Sequence, residues 1–203
     1  MARYNGPKAR INRRLGLLVF ENTGAAKAFD RRPQAPGMAR PRGRKSVYGQ
    51  SLAEKQKIKY YYGLCERQLR KLFDKAKRQK GNTGENLLIL CERRMDNVIR
   101  RAGLTRTRPQ SRQGIAHGHF LLNGRKTDVA SVLVRPGDVI SVRNKEAIKN
   151  LYTELLATEG ANNTLSWLAI DPQTMDITIL SYPTVEEVSL PVEIGMVIEL
   201  MSR

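Results

Sequence analysis

The strongest constraint on this chain is where its charge lies. Residues 1–150 carry 35 Lys and Arg against 11 Asp and Glu, a net of +24; residues 151–203 carry one Arg against eight acidic residues, a net of −7. The whole chain of 203 residues is left at +17. Such a balance favours a polyanion as partner, either a nucleic acid or an anionic membrane surface. No single polyanion favours both parts, so the acidic end is expected to face something else. The length allows one large domain or two small ones.

No apolar run approaches the roughly 20 residues that span a bilayer. The stretch Leu15–Phe20 is too short and poorly placed for a secretory signal. The expectation is a soluble, unexported chain without a membrane partner. Cys65 and Cys91, 26 positions apart, form no CxxC pair, which excludes a zinc knuckle on ligand count. Each falls on the apolar face of a predicted helix, as a buried thiol in a reducing compartment would.

Residues 1–45 read as an extended basic arm. They hold twelve Lys or Arg, and RRPQAPGMARPRGRK has neither a helical nor a strand period. A helical region follows. Ser51 and Glu54 have capping-box spacing, and Ile58, Tyr62, Cys65, Leu69, Leu72 and Ala76 form one apolar stripe. Gly63 should break or kink this helix and Gly81 should end it. The next helix starts at Asn82, with Glu85 at its third position, and runs to Gly103. A short helix opens at Thr107, with Pro109 in its first turn and Gln110 at capping-box spacing.

The pattern then changes to period two. His119–Leu122, the turn Asn123-Gly124 and Arg125–Val134 predict a hairpin, and Val139–Arg143 a strand after Pro136-Gly137-Asp138. A helix is expected near 145–157, and strands at Trp167–Ile170 and Met175–Leu180. The closing PVEIGMVIELMSR fits a short helix or a strand equally.

Residues 93–142 carry Met95-Asp96-Asn97-Val98, Thr107-Arg108, Arg112-Gln113, His117-Gly118-His119, Leu122-Asn123-Gly124-Arg125 and Pro136-Gly137-Asp138-Val139-Ile140. In these motifs the stretch resembles the S-four RNA-binding domain. Outside it, MARYNGPKARINRRLG, QAPGMARPRGRKSVYGQSLAEKQKIKYYYG, KGNTGENLL and VIELMSR resemble the bacterial S-four ribosomal proteins, so the likeness covers nearly the whole chain. It implies an α+β chain with an extended basic arm (1–45) and a small helical domain (46–92, completed by about 184–203). Between the parts of the helical domain it implies an S-four RNA-binding domain (93–183) of helices plus a small, mainly antiparallel sheet. The resemblance also implies a structural role in the small ribosomal subunit, in the cytoplasm, as a primary binder of its RNA at a multi-helix junction. Nucleation of the subunit body, an influence on decoding accuracy, a location near the messenger entry and contact with small-subunit protein five belong to the same implication. Gly114 and Ser111 depart from the family pattern, in which a larger apolar residue and Ala are usual, so the helix that contains them is expected to be looser.

Folded RNA is met through shape, phosphate, ribose hydroxyls and exposed bases, which suits Arg, Lys, His and Asn. In the arm the expected RNA-binding residues are Arg3, Lys8, Arg10, Arg13, Arg14, Arg40, Arg42, Arg44 and Lys45. In the helical domain and its junction they are Lys55, Lys59, Arg67, Arg70, Lys71, Lys80, Asn82 and Thr83. In the S-four domain they are Arg93, Asn97, Arg100, Arg106, Arg108, Arg112, His117, His119, Asn123, Arg125 and Lys126. Taken singly, each also fits a solvated basic surface; the order and spacing of the motifs favour RNA. Arg108 and Arg112, one turn apart, are expected to grip phosphates. Of Tyr60, Tyr61 and Tyr62 at least one must face the core, leaving the others open to base stacking.

There is no P-loop, GxSxG or HExxH, and the two His lack companion ligands. The expectation is therefore no catalytic site, metal, cofactor or small-molecule substrate. Asp96 is read as an ion-pair partner of Arg93 and Arg100. The alternatives are an RNA-modifying enzyme with an appended S-four domain and a small ribosome-associated factor built on it. The acidic end, with Asp171, Asp176, Glu186, Glu187, Glu193 and Glu199, is expected to point away from RNA, with Glu186 and Glu187 meeting a neighbouring protein. Val188, Leu190, Val192, Ile194 and Met196 alternate with polar or small residues, so part of this segment can also pack on its own domain.

Overall fold

The computed structural model describes residues 4–38, 46–159, 165–188 and 190–202. The chain divides into two compact units, residues 1–87 with 190–203, and residues 88–189.

In the first unit, helices form inside the stretch expected to be extended: α1 (Lys8–Leu15) and α2 (Thr23–Arg31). What holds them is a small apolar set, Ile11, Val19, Phe20 and Ala25, all buried. A buried Asn12 closes the link by exchanging two hydrogen bonds with the backbone of Phe20, each 3.0 Å. The arm's high charge conceals this set, because the buried residues are few and their spacing is broken by the turn at Gly16. Arg3, Arg40, Arg42, Arg44 and Lys45 lie outside the described residues.

Helix α3 (Val47–Tyr61) begins one turn earlier than the expected Ser51 cap. Ser46 is the cap, accepting from Gly49 N–H, while the Ser51 hydroxyl donates to the Val47 carbonyl inside the helix. Gly63 (φ 61) breaks the helix, and α4 (Glu66–Lys77) follows. The buried line of α4 is Leu69, Phe73 and Ala76. Phe73 takes the place expected for Leu72, because an i, i+4, i+7 line passes through it. Tyr61 and Tyr62 are buried, and Tyr60 packs against Tyr4 and Phe20 at ring separations of 5.2 and 5.9 Å. The tyrosine run is thus packing, which accounts for the rings expected to be open to bases. The closing segment is a helix, α9 (Ile194–Ser202), packed on α3. Glu54, the expected cap partner of Ser51, instead accepts from the backbone N–H of Glu193 at 3.2 Å.

Helix α5 (Thr83–Glu92) starts at Asn82, whose side chain accepts from Gly84 N–H. It does not continue to Gly103. The chain breaks at Arg93-Arg94 and restarts as α6 (Met95–Arg101). The break is stabilised from outside the helix: the carbonyls of Val132 and Ala130 accept the N–H groups of Met95 and Asp96, two of the donors a new helix end leaves unmatched. Helix α7 (Arg108–Ala116) follows, with Pro109 in its first turn. Thr107 makes no side-chain cap, and Gln110 accepts from Arg106 N–H instead.

The sheet has the order β2-β1-β3-β5-β4, antiparallel throughout, from β1 (Phe120–Leu122), β2 (Arg125–Lys126), β3 (Val139–Val142), β4 (Leu168–Ile170) and β5 (Ile177–Ile179). Asn123 (φ 50) and Gly124 (φ 76) make the tight hairpin turn. The strand expected over Arg125–Val134 stops at Lys126, because residues 130–134 leave the sheet to bond the break before α6. Helix α8 (Glu146–Glu159) covers the core of this unit, in which Trp167, Phe120, Ile99, Leu104, Ile115 and Ile140 are fully buried and Tyr152 is 2% exposed.

Candidate nucleic-acid interface

In the second unit the side chains of α6 and α7 are joined by a buried polar network. Asp96 takes Arg94 on both oxygens, at 3.1 and 2.8 Å, and Arg112 on Oδ2 at 2.6 Å. The side chains of Arg94 and Asp96 are 4% and 2% exposed. A buried carboxylate requires such countercharge, and Arg94 and Arg112 supply it. Beside it, Arg108 Nε donates to Asn97 Oδ1 at 2.7 Å, and Asn97 Nδ2 donates to Glu92 Oε2 at 2.7 Å. Arg101 lies 3.6 Å from the same Glu92 carboxylate and donates to the Glu187 carbonyl.

This arrangement corrects the expected orientation of two residues. Asn97 is 1% exposed and Arg108 5% exposed, so both side chains are turned into the protein. They and Arg112 hold α7 against α6. What faces outward around them is Arg106, before α7, together with His117, Asn123, Arg125 and Lys126, all exposed. The Asn123 side chain also ties the hairpin to β3, donating to Asp138 and accepting from Val139 N–H. Arg93 and Arg100 are half-buried. The Arg93 guanidinium lies 4.4 Å from the Tyr182 ring centre and its Nε donates to the Val134 carbonyl.

Gly118 sits between the two histidines with φ 69, and a Cβ there would collide with the Lys126 side chain, which folds back over it. The motif His117-Gly118-His119 therefore needs its glycine for backbone conformation, while the exposed Lys126 side chain could swing aside. The His119 ring lies 5.9 Å from that of His117, and its Nδ1 is 3.0 Å from the Tyr152 hydroxyl. Burial, and secondarily the neighbouring His117, hold the His119 pKa below its ordinary value.

Gly114 and Ser111 each have a specific neighbour. A Cβ on Gly114 would lie 2.5 Å from the Tyr152 hydroxyl and 3.0 Å from Phe120. The Ser111 hydroxyl is buried 2.6 Å from that of Thr105. Tyr152, Glu92, Arg94 and Asp96 were not among the expected site residues. The available signal was weak, since charged residues inside a helix normally read as surface.

In the first unit α4 carries Arg67, Arg70, Lys71, Lys75 and Lys77 on its exposed side, and Arg78 and Lys80 are exposed beyond its end. Lys75, Lys77 and Arg78 belong to this basic face with the expected residues. Lys55 and Lys59 both pair with Glu66, at 2.6 and 3.3 Å. Burial raises the Glu66 pKa, but hydrogen bonds from these two lysines outweigh it and leave it lowered. Arg10 and Arg14 are exposed, Lys8 is half-buried, and Arg13 donates to the Gln34 carbonyl. Asn82 is exposed and Thr83 half-buried.

The acidic end is divided between the units. Asp171, Asp176, Glu186 and Glu187 lie in the second; Glu193 and Glu199 lie in the first. Glu187 accepts from the backbone N–H and hydroxyl of both Ser166 and Thr184, at 2.7–3.2 Å. Burial opposes ionisation of Glu187, but these bonds prevail and lower its pKa. Its carboxylate is thus engaged within its own unit, while Glu186 is exposed. Cys91 is wholly buried, which pushes its thiol up to about 12. Among the described residues no group of His, Cys, Asp and Glu could hold a metal, and no helix is long and apolar enough to cross a membrane.

Residues 3–92 match the family model described as the ribosomal protein S4/S9 N-terminal domain, and residues 93–140 match the S4 domain. The chain is 55% identical over 203 residues to small ribosomal subunit protein uS4 of Rhodopirellula baltica, with all of both chains covered. The proteins of the same name from Rubrobacter xylanophilus and Thermoanaerobacter sp. are 43% and 42% identical, again with both chains covered completely. The chain belongs to the small ribosomal subunit protein uS4 family.

Proposed function

We propose that this chain is a structural component of the small ribosomal subunit and binds its ribosomal RNA. The observation that carries this reading is the 55% identity to a uS4 protein across the full length of both chains. Two basic surfaces suit the role: the exposed face of α4, and Arg106 with the hairpin residues Arg125 and Lys126. Such surfaces neutralise phosphates, while the half-buried histidine and the tight hairpin offer directed hydrogen bonds to a folded RNA.

Within this reading the protein binds early, nucleates assembly of the subunit body and contributes to decoding accuracy. It acts in the cytoplasm as a non-enzymatic constituent. Its neighbour is small-subunit protein five, met through the acidic surface around Glu186. The arm residues Arg3, Arg40, Arg42, Arg44 and Lys45 add phosphate contacts. An RNA-modifying enzyme with an appended S4 domain is disfavoured, because the segment outside that domain matches a ribosomal N-terminal family model over residues 3–92. The test is footprinting of small-subunit ribosomal RNA with the intact chain. Protection of a defined multi-helix junction is expected; protection scattered without preference would reject the reading.

A further inference from the structure

We infer that Tyr152 is a positioning residue for RNA recognition: its hydroxyl, seated over Gly114, fixes His119 with Nε2–H outward as a neutral donor to an acceptor oxygen of the RNA. This rests on the RNA-binding reading above, but its first step concerns the free protein alone.

Tyr152 projects from α8 into the core, with its ring 5.0 Å from that of Phe120. Its side chain is long enough to bring the phenol oxygen to the inner face of α7 only because position 114 has no Cβ. There the hydroxyl lies 3.0 Å from His119 Nδ1. Burial pushes the phenol up to about 12, so it keeps its proton. A buried O–H without an acceptor is costly, and His119 Nδ1 is the acceptor placed to receive it. The phenol therefore donates and Nδ1 presents its lone pair. A neutral imidazole with a bare Nδ1 carries its hydrogen on Nε2.

Protonating the ring would turn Nδ1 into a donor to the phenol oxygen and leave the buried phenol hydrogen without its acceptor. The half-buried ring and the adjacent His117 act in the same direction, against the imidazolium. Lys126, folded over Gly118, adds positive charge to the same corner. His119 is thus unlike the arginines and lysines around it. It offers one directed hydrogen bond without net charge, which selects an acceptor at a particular place rather than phosphate in general. Tyr152 and Gly114 act together, since either a Cβ at 114 or loss of the hydroxyl would release the ring.

The test has two readouts on the intact chain. Long-range proton–nitrogen spectra of the RNA-free protein near neutral pH should show His119 as the Nε2–H form. In Y152F, and in G114A, where Tyr is kept but its hydroxyl displaced, that preference should give way to a mixture. Affinity for small-subunit ribosomal RNA should fall about fivefold in Y152F and in H119A, and the double variant should be no worse than H119A alone. An Nδ1–H form in the wild type, or additive losses in the double variant, would overturn the proposal. Failure of the wild-type chain to bind that RNA would instead defeat the underlying function, while the spectra would still decide the Tyr152–His119 bond.

Discussion

Gly114 and Tyr152 share one space: a Cβ at position 114 would stand 2.5 Å from the Tyr152 hydroxyl. Gly in a helix costs about 1 kcal/mol relative to Ala, so G114A gains propensity. Overpacking of a closed core costs about 1–3 kcal/mol, and here it prevails. G114A should lower stability by about 1 kcal/mol in urea unfolding, and by less than half as much when combined with Y152F. Equal effects in both backgrounds would show that the two residues do not compete for this space.

Asp96 should be the most sensitive polar position in the second unit. Its side chain is 2% exposed and faces Arg94 and Arg112. Removing one member of a buried ion pair costs about 3–5 kcal/mol, because the remaining charge is left without compensation. D96A should therefore unfold at a much lower urea concentration than wild type. D74A, at an exposed site in α4, should change little. A D96A protein of near wild-type stability would mean that the network contributes no net stabilisation.

Most of the regular elements were legible in the sequence, and the reasons for the exceptions are physical. Period-two alternation and Asn123-Gly124 marked the hairpin, and the glycines marked the helix ends. The break at Arg93-Arg94 was hidden because its stabilising carbonyls come from Val132 and Ala130, far along the chain. The helices at Lys8–Leu15 and Thr23–Arg31 were hidden because a few buried residues and Asn12 support them against a strongly basic background. At the candidate interface, the motif did not reveal which side chains face out. Asn97 and Arg108 stand in the motif beside exposed Arg106, and only the position of Glu92 reveals that they turn inward. Gly114 read as a weakness of α7 until Tyr152, 38 positions later, explained it.

The pH response of stability should carry a signature of His119. Its folded-state pKa lies below the ordinary value, through burial first and His117 second. As pH falls, the unfolded chain takes up a proton at this residue before the folded chain does. The contribution is therefore fully present above the unfolded pKa and is lost as pH drops through the folded one. Between pH 7.5 and pH 5.5 the wild-type Tm should fall further than that of H119Q, with His117 common to both. Equal falls would place the His119 ring in an environment no different from water.

Glu186 and Glu187 should separate by function. Glu187 is bound by Ser166 and Thr184, whereas Glu186 is exposed. E186K should weaken binding of small-subunit protein five while leaving amide exchange at Ser166 and Thr184 unchanged. E187K should raise exchange at both amides. If E186K leaves the neighbour's binding intact, the acidic contact proposed for this surface is wrong.

The central claim, that exposed basic residues of the second unit hold small-subunit ribosomal RNA, is tested most directly by a salt titration. Each phosphate neutralised contributes about 0.7–0.9 to the slope of log affinity against log salt. The combined variant R106A/R125A/K126A alters exposed positions only. It should keep the wild-type fold, bind the RNA more weakly at low salt and reduce the slope by about 2–3. Affinity and slope identical to wild type, in a folded variant, would contradict the account.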